Sequence, residues 1–394
     1  MKNNRTFLEK LLDGAEVEWK PLIKVASLTR GRVISKEYLA NNLGDYPVYS
    51  SQTVNNGEIG KINSFDFDGE FVSWTTDGAN AGTVFYRSGK FSITNVCGLI
   101  KIQNNLELNY KFLFYWLSIE AKNHVYSGMG NPKLMSHQME KILIPIPPLS
   151  VQTEIVKILD ALTALTSELT SELTSELILR QKQYEYYREK LLSEEELGKV
   201  GFEWKTIDEI SKKISSGGTP TTSNNGYYDN GTIPWLRTQE VDFKEIWDTN
   251  IKITEDALNN SSAKWIPANC VIVAMYGATV GKTAINKIPL TTNQACANIE
   301  INDKLACYRY IFHYLTSKYE YIKSLGSGSQ TNINAQIIKK LKVPVPPIEE
   351  QHRIVSILDK FETLTNSITE GLPLAIEQSQ KRYEYYRELL LNFS

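Results

Sequence analysis

Several short patterns in this 394-residue chain have the residue types of reactive or ligand-binding sites, and each is incomplete. Val271-Ile-Val-Ala-Met-Tyr-Gly277-Ala-Thr-Val-Gly281-Lys282-Thr283 resembles a strand feeding a phosphate loop. A loop that wraps phosphates with successive backbone N–H groups needs four residues between its glycines, and here there are three. The stretch therefore reads as a tight inter-strand turn, with Lys282 free to approach a phosphate. Glu18-Trp-Lys20 and Glu203-Trp-Lys205 carry an acid and a lysine as metal-dependent phosphodiesterases do, but such sites need a further aspartate to hold Mg²⁺. Asp13 could serve the first triplet, whereas the second has only Glu194–Glu196 upstream. Both are read as strand starts with the tryptophan as a buried anchor. Methyl transfer to an extruded adenine needs an Asn or Asp before a Pro-Pro pair to grip the base. Ile146-Pro-Pro-Leu149 and Val345-Pro-Pro-Ile348 lack that amide. Cys97, Cys270, Cys296 and Cys307 form no Cys-x-x-Cys pair and the four histidines are scattered, so buried reduced thiols are expected, with no metal and no cofactor.

The last pattern is Tyr184-Glu-Tyr-Tyr-Arg-Glu189, repeated as Tyr383–Glu388. Stacking on bases is one use of such a string. Closing a helix pair or docking a partner, through Tyr184, Tyr187, Arg188, Tyr383, Tyr386 and Arg387, is the use adopted here.

That repeat belongs to a larger one. Lys141-Ile-Leu-Ile-Pro-Ile-Pro-Pro-Leu149 falls on Lys340-Leu-Lys-Val-Pro-Val-Pro-Pro-Ile348, an offset of 199. The same offset places Gln152 on Gln351, Ile158-Leu-Asp160 on Ile357-Leu-Asp359, Gly78 and Gly82 on Gly277 and Gly281, and Cys97 on Cys296. The chain is thus a tandem duplication. Each copy opens with short alternating apolar runs, such as Glu70–Thr75 and Cys270–Tyr276, which predict strands joined by polar turns. After the Pro-Pro step a helix is expected from near Ser150 or Glu349, because proline is tolerated only before or in the first turn. Apolar positions 151, 155, 158, 162, 165 and 169 alternate by four and three, the spacing of a coiled-coil seam. Its partner is the arm from Gln351 to Leu391, with Ile354, Leu358, Phe361 and Leu364 as seam and a break at Glu370-Gly-Leu-Pro373.

Composition narrows the class. Apolar residues make up 42% and charged residues 22%, which fits a globular chain and excludes a disordered one. No apolar run nears the roughly 18 residues that span a bilayer, and the polar first ten residues carry no secretory signal, so a cytoplasmic location without membrane is expected. A net charge of −2 argues against strong nucleic-acid binding unless basic residues cluster locally.

Several strings together resemble the DNA-specificity subunit of type I restriction-modification systems, over essentially the whole chain. They are Gly44-Asp-Tyr-Pro-Val-Tyr-Ser-Ser-Gln-Thr53 with Asn55-Asn-Gly-Glu-Ile-Gly60, Gly217-Gly-Thr-Pro-Thr221 leading to Ile233-Pro-Trp-Leu-Arg237, and the duplicated Pro-x-Pro-Pro step, Gln-x-x-Ile-Val helix start and Tyr-Glu-Tyr-Tyr-Arg helix end. The resemblance implies a mixed α/β chain with two target-recognition domains, each reading half of a split double-stranded DNA target. It also implies two adenine-N6 methyltransferase subunits docked on the helices, with ATP-dependent restriction (translocase) subunits joining them. Because the two copies differ, the target should be asymmetric, and arms pairing as an antiparallel coiled coil would relate the copies by a pseudo-twofold. The expected segments are 1–149 and 193–348 for recognition, 150–192 for a central arm and 349–394 for a terminal arm. Catalysis would belong to the partners. An adaptor joining proteins through its coiled coil is the alternative.

Within that reading Arg30 and Arg32, and Lys212 and Lys213, are the local phosphate clusters, since residues 1–149 hold 16 basic against 14 acidic side chains. Turn residues Gln52, Asn80 and Lys133 in the first copy and Arg237, Thr238 and Lys282 in the second are the contact candidates, amide and guanidinium groups for base edges and lysines for phosphate. Thr166-Ser-Glu-Leu169 recurs as Thr170–Leu173 and Thr174–Leu177 inside the first arm. A tandem tetrapeptide also separates the recognition domains of some family members, which implies a spacer; a plain solvated helix is the other reading.

Overall fold

Both Pro-Pro steps release their helices where the spacing predicts. In a computed structural model describing residues 6–128, 130–326, 332–367 and 370–393, the central arm is one helix of 43 residues, Leu149–Leu191. The terminal arm runs Ile348–Asn366 and, after a break, Leu372–Leu391. Gly371 sits at φ 93° and Pro373 lies in the restarted first turn, so the break comes from the residues expected to cause it. None of the described helices is long and apolar enough to cross a membrane.

The chain divides into two units. One holds residues up to Glu172 together with Ile376 onward, the other Leu173–Ala375, so each arm contributes to both.

In the first unit the strands are β1 (Glu18–Pro21), β2 (Ala26–Arg30), β3 (Leu43–Tyr49), β4 (Glu58–Ile62), β5 (Phe67–Thr75), β6 (Val84–Ile93), β7 (Cys97–Ile102) and β8 (Leu143–Ile146). Six form a sheet ordered β2-β7-β5-β6-β3-β4, parallel only between β3 and β6, while β1 pairs with β8. Trp74 on β5 lies opposite Gly98 on β7, and a Cβ at Gly98 would overlap the indole. Helix Tyr110–Glu120 buries Phe112, Leu113 and Leu117 in the core that also receives Val151, Ile155, Val156 and Leu159 from the arm.

The second unit contains β9 (Glu203–Thr206), β10 (Ser211–Ser216), β11 (Ile233–Leu236), β12 (Lys244–Ile246), β13 (Lys252–Ile253), β14 (Trp265–Ile266), β15 (Val271–Ala274), β16 (Thr283–Asn286), β17 (Leu290–Thr292), β18 (Cys296–Ile301) and β19 (Lys342–Val345). The order β10-β18-β15-β16 reproduces β2-β7-β5-β6 of the first unit and β9–β19 reproduces β1–β8. The separate sheet β13-β11-β17-β14 repeats the pairings β4-β3-β6-β5, with Trp235 opposite Thr291 as Val48 is opposite Ser92 and Ile266 opposite Leu290 as Phe67 is opposite Phe91; β12 beside β16 has no counterpart. Val273 and Ala297 now face each other where the first unit has Trp74 and Gly98. The units thus share their strand pairings and differ in the residues those strands carry and in the added β12.

Two expectations change. The seam predicted at 151–169 is largely spent on the arm's own domain: Val151 and Ile155 are buried in its core and Ile158 and Leu162 pack against it, while Leu165 and Leu169 are 63% and 42% exposed. The face of helix Tyr110–Glu120 must be covered, and the first turns of the arm are the nearest apolar surface. Within this unit the arm also meets the returning terminal arm, with Thr163 Oγ1 3.2 Å from the Tyr383 hydroxyl and Phe393 against Phe112 and Trp116. The tryptophans of the acid-x-lysine triplets are not buried anchors either; Trp19 and Trp204 are 40% and 45% exposed, because β1 and β9 each belong to a two-stranded ribbon with an open face.

Candidate nucleic-acid interface

At the Cys97 end of β7, strand ends and turns of the first unit form one hydrogen-bonded rim. Arg30 donates through Nη2 to Thr76 Oγ1 at 3.0 Å and to the Asn95 carbonyl at 2.6 Å. Thr76 Oγ1 donates to Asp77, whose backbone bridges to Lys133 and whose carboxylate lies 3.9 Å from both Arg30 and Lys133. Asn80 Nδ2 donates to the Ser51 carbonyl at 3.1 Å, and Gln52 donates to the carbonyl of Glu58, which braces the loop between β3 and β4. Arg32 pairs with Asp66 at 2.9 Å and lies over Tyr38. Burial opposes the charge on Arg32, but the hydrogen bonds and charges of Asp66 and Tyr38 together outweigh it and raise its pKa. All five first-copy candidates are therefore gathered at one edge. Each is held by neighbouring groups, and the carboxylates of Asp66 and Asp77 partly neutralise the cations Arg30, Arg32 and Lys133, which pre-organises the surface.

Gly31 makes that edge possible, since a Cβ there would collide with the Ile93 and Thr94 carbonyls. Gly217 occupies the same place against Thr292. Register aligns Arg30 with Gly98 and Ser216 with Ala297, so Arg30-Gly-Arg32 of the first unit becomes Ser216-Gly-Gly218 in the second.

The second unit splits its candidates. Arg237 follows β11, Thr279 Oγ1 donates to the Thr238 carbonyl at 2.7 Å, and Lys282 pairs with Asp242 at 2.6 Å; these three cluster at the Cys296 end of β18. Thr238 is buried. Lys212 and Lys213 sit at the other end of β18, where Lys212 pairs with Asp303 at 3.0 Å, about 17 Å away along the strand. The structure does not bring them to the Arg237 edge.

The glycine turns are closed hairpin connections. Ala274 N–H donates to Lys282 O, Gly281 N–H to Ala274 O and Val280 N–H to Gly277 O, and Thr75, Gly82 and Ala81 repeat the scheme in the first unit. With those N–H groups spent internally, the turn is no phosphate cradle. Lys20 is tied to Glu107 at 2.6 Å, a hydrogen bond that raises its pKa.

A second constellation joins domains to arms. Gln152 and Gln351, both fully buried, accept from the backbone N–H of Asn109 and Cys307 at 2.9 and 2.8 Å and donate to the carbonyls of Pro147 and Pro346. Lys111 and Tyr115 reach Asp160 in one unit; Arg309 and His313 reach Asp359 in the other. His313, Asp359 and Glu362 are close enough to share a metal ion, yet Arg309 already bonds Asp359 at 2.7 Å and Glu362 at 3.0 Å and also contacts Glu245. A guanidinium fills the cation's role, which fits an ion-pair lock. The sequence hides it because its parts lie about 50 residues apart on two helices; the signal is basic and aromatic residues four apart on one helix facing acids on the next. The repeated tyrosines close the arms: Tyr187 stacks on Phe361 at 5.5 Å, Tyr184 lies beside it under Arg188, and Arg387 lies over Tyr383, whereas Tyr386 is exposed.

The type I restriction modification DNA specificity domain matches this chain twice, at residues 15–178 and 199–378. The chain is 42% identical over 408 residues to the putative type I restriction enzyme specificity subunit S.HindORF215P of Haemophilus influenzae, covering 100% of both. It is 37% identical to the EcoR124I/EcoR124II specificity subunit of Escherichia coli, over 98% of this chain and 97% of that one. In fold it is similar to a chain from a solved type I R-M system, studied for complex assembly and conformational transition, at TM-score 0.68 with 16% identity and 96% and 98% coverage. The HsdS subunit from Thermoanaerobacter tengcongensis gives TM-score 0.55 with 17% identity and 96% and 95% coverage. Two copies of one DNA-specificity domain, each locked to its helical arm by the same glutamine and aspartate, make this chain a member of the type I restriction-modification specificity-subunit family.

Proposed function

We propose that each unit reads one half of an asymmetric, bipartite double-stranded DNA target with the edge at the Cys97 or Cys296 end of its core, while the arms set the distance between half-sites. The arms also dock two adenine-N6 methyltransferase subunits, to which ATP-dependent restriction subunits add. Methyl transfer and cleavage reside in those partners. The observation that carries this reading is the pairing of a shared core with unlike edges: the same four strands and arm locks in both units, but Arg30-Gly-Arg32 in one and Ser216-Gly-Gly218 in the other. A common scaffold with a divergent edge suits two readers of different sequence. Arg30 and Arg32 supply phosphate contacts, Gln52, Asn80 and Arg237 base contacts, and Lys133 and Lys282 either phosphate or the frame of the turn. With net charge −2 and many cations already paired, the methyltransferase partners must supply much of the electrostatic attraction.

The test is exchange of residues 1–140 for the equivalent stretch of a related subunit, followed by mapping of methylated adenines in cells that carry the whole system. One half of the target should change and the other persist. If both halves changed together, or neither did, the two-reader reading would fail.

A further inference from the structure

Among the described residues of the first unit one charged side chain is buried with no carboxylate bonded to it. Arg87, on β6, is 2% exposed. Its guanidinium lies 3.6 Å over the Tyr49 ring and 4.4 Å from that of Phe85, and Nε donates to Ser73 Oγ at 3.0 Å. From Nη1 it donates to the carbonyl of Asn56 at 2.8 Å. Burial pushes the guanidinium pKa down to about 10, the sign of a cation kept at a cost.

That cost is applied to a single loop. Between β3 and β4, Asn55 (φ 50°), Asn56 (φ 52°) and Gly57 (φ 81°) are three successive left-handed residues. For the two asparagines this conformation costs on the order of 1 kcal/mol each. Ser50 N–H donates to the Gly57 carbonyl at 2.9 Å, Asn80 holds Ser51, Gln52 holds Glu58, and Arg87 holds Asn56. So braced, the crest Thr53–Asn56 stands in solvent, with Val54 77% exposed. At the matching position the second unit has Asn286, an uncharged residue whose amide bonds the carbonyls of Pro267 and Ile288. The buried cation is therefore a device of the first unit and not a requirement of the shared core.

We propose that the crest Thr53–Asn56 extends the base-reading edge of the first unit beyond Gln52 and Asn80, matched to A·T pairs in the major groove, and that Arg87 is a positioning residue that presets it. The inference rests on the two-reader assignment above. Side-chain amides at Asn55 and Asn56 match the acceptor and donor of adenine N7 and N6, an exposed valine matches the thymine methyl, and the crest offers no guanidinium for guanine. Holding the loop beforehand removes the ordering cost from binding, so the stored strain favours discrimination.

The test uses the complete complex with its methyltransferase partners and three duplexes: the mapped target, one altered at A·T pairs of the first half, and one altered in the second half. Asn55→Gly and Asn56→Gly keep the backbone conformation and remove the amides. Each should lower discrimination against the altered first half by about 5- to 100-fold and leave second-half discrimination unchanged. Arg87→Met should lose discrimination at those same base pairs, again with the second half intact as an internal control for folding and assembly. Crest variants that discriminate like the parent would overturn the proposal, and so would an Arg87→Met that loses both halves equally or neither. Exchange of residues 1–140 run in parallel separates the two failures: if it still switches the first half while the crest variants do nothing, only the crest assignment falls.

Discussion

The Gln351 side chain and the Cys307 backbone N–H meet 2.8 Å apart inside the second unit, and Gln152 meets Asn109 in the same way in the first. Each glutamine caps the first turn of its domain helix while its amide donates to the proline carbonyl that precedes its arm. One side chain therefore welds domain helix, proline step and arm. Gln351→Ala would leave a buried N–H and a buried carbonyl without partners, a loss of about 2–4 kcal/mol. Amide exchange at Cys307–Tyr310 should accelerate together with a lower melting temperature, and unchanged protection there would contradict the weld.

Acid should loosen the second unit at its ion-pair lock. Burial alone would raise the Asp359 carboxyl, but hydrogen bonds from His313 and Arg309 outweigh it and hold its pKa below the ordinary aspartate value. A depressed carboxyl adds stability that is complete above its unfolded value, about 3.9, and is lost as pH falls through the lower folded value. Glu362 acts in the opposite sense, since burial raises its pKa and the folded state takes up a proton first. Urea titrations at a series of pH values below 5 should show Asp359→Asn flattening the final acid loss and Glu362→Gln leaving that loss in place. Identical acid limbs for wild type and Asp359→Asn would refute the assignment.

Cross-strand volume is traded between the units, Trp74 against Gly98 in one and Val273 against Ala297 in the other. Gly98→Ala should cost about 3 kcal/mol because its Cβ enters the space of the indole. In a Trp74→Val background the same change should cost close to nothing. Denaturation of the four proteins of this cycle gives the coupling directly, and additive losses would show that the two residues do not compete for space.

The three tandem tetrapeptides lie within the unbroken helix Leu149–Leu191, and the division between the units falls inside them, after Glu172. Four helical residues add ~6 Å and overshoot a turn by ~40°. With the helix inclined to the DNA axis, so that only part of that length projects along it at ~3.4 Å per pair, deleting Thr170–Leu173 should shorten the non-specific spacer of the target by roughly one base pair, with both half-sequences unchanged. Methylation mapping in cells bearing the deletion measures it, and an active enzyme with the original spacer would rule out the ruler.

Local physics accounts for the features that are legible in the sequence. The offset of 199, the helix starts after the Pro-Pro steps, the break at Gly371 and Pro373 and the closed glycine turns depend on backbone geometry over a few residues, and each stands as expected. The gathering of Gln52 and Asn80 with Arg30 at one edge followed from turns and a strand end of a single sheet, whereas Lys133 reaches it through a bridge to Asp77. Long-range packing alone settles which surface covers which. The arm's stripe serves its own domain before its partner, Trp19 and Trp204 stay half-exposed, Lys212 and Lys213 lie at the far end of β18 from Arg237, and Arg87 turns inward to hold a loop 31 residues away in sequence. Periodicity shows that a face is apolar, or that a residue is charged, but burial and pairing energies depend on neighbours distant in sequence, and those neighbours exist only once the sheet and arms are assembled.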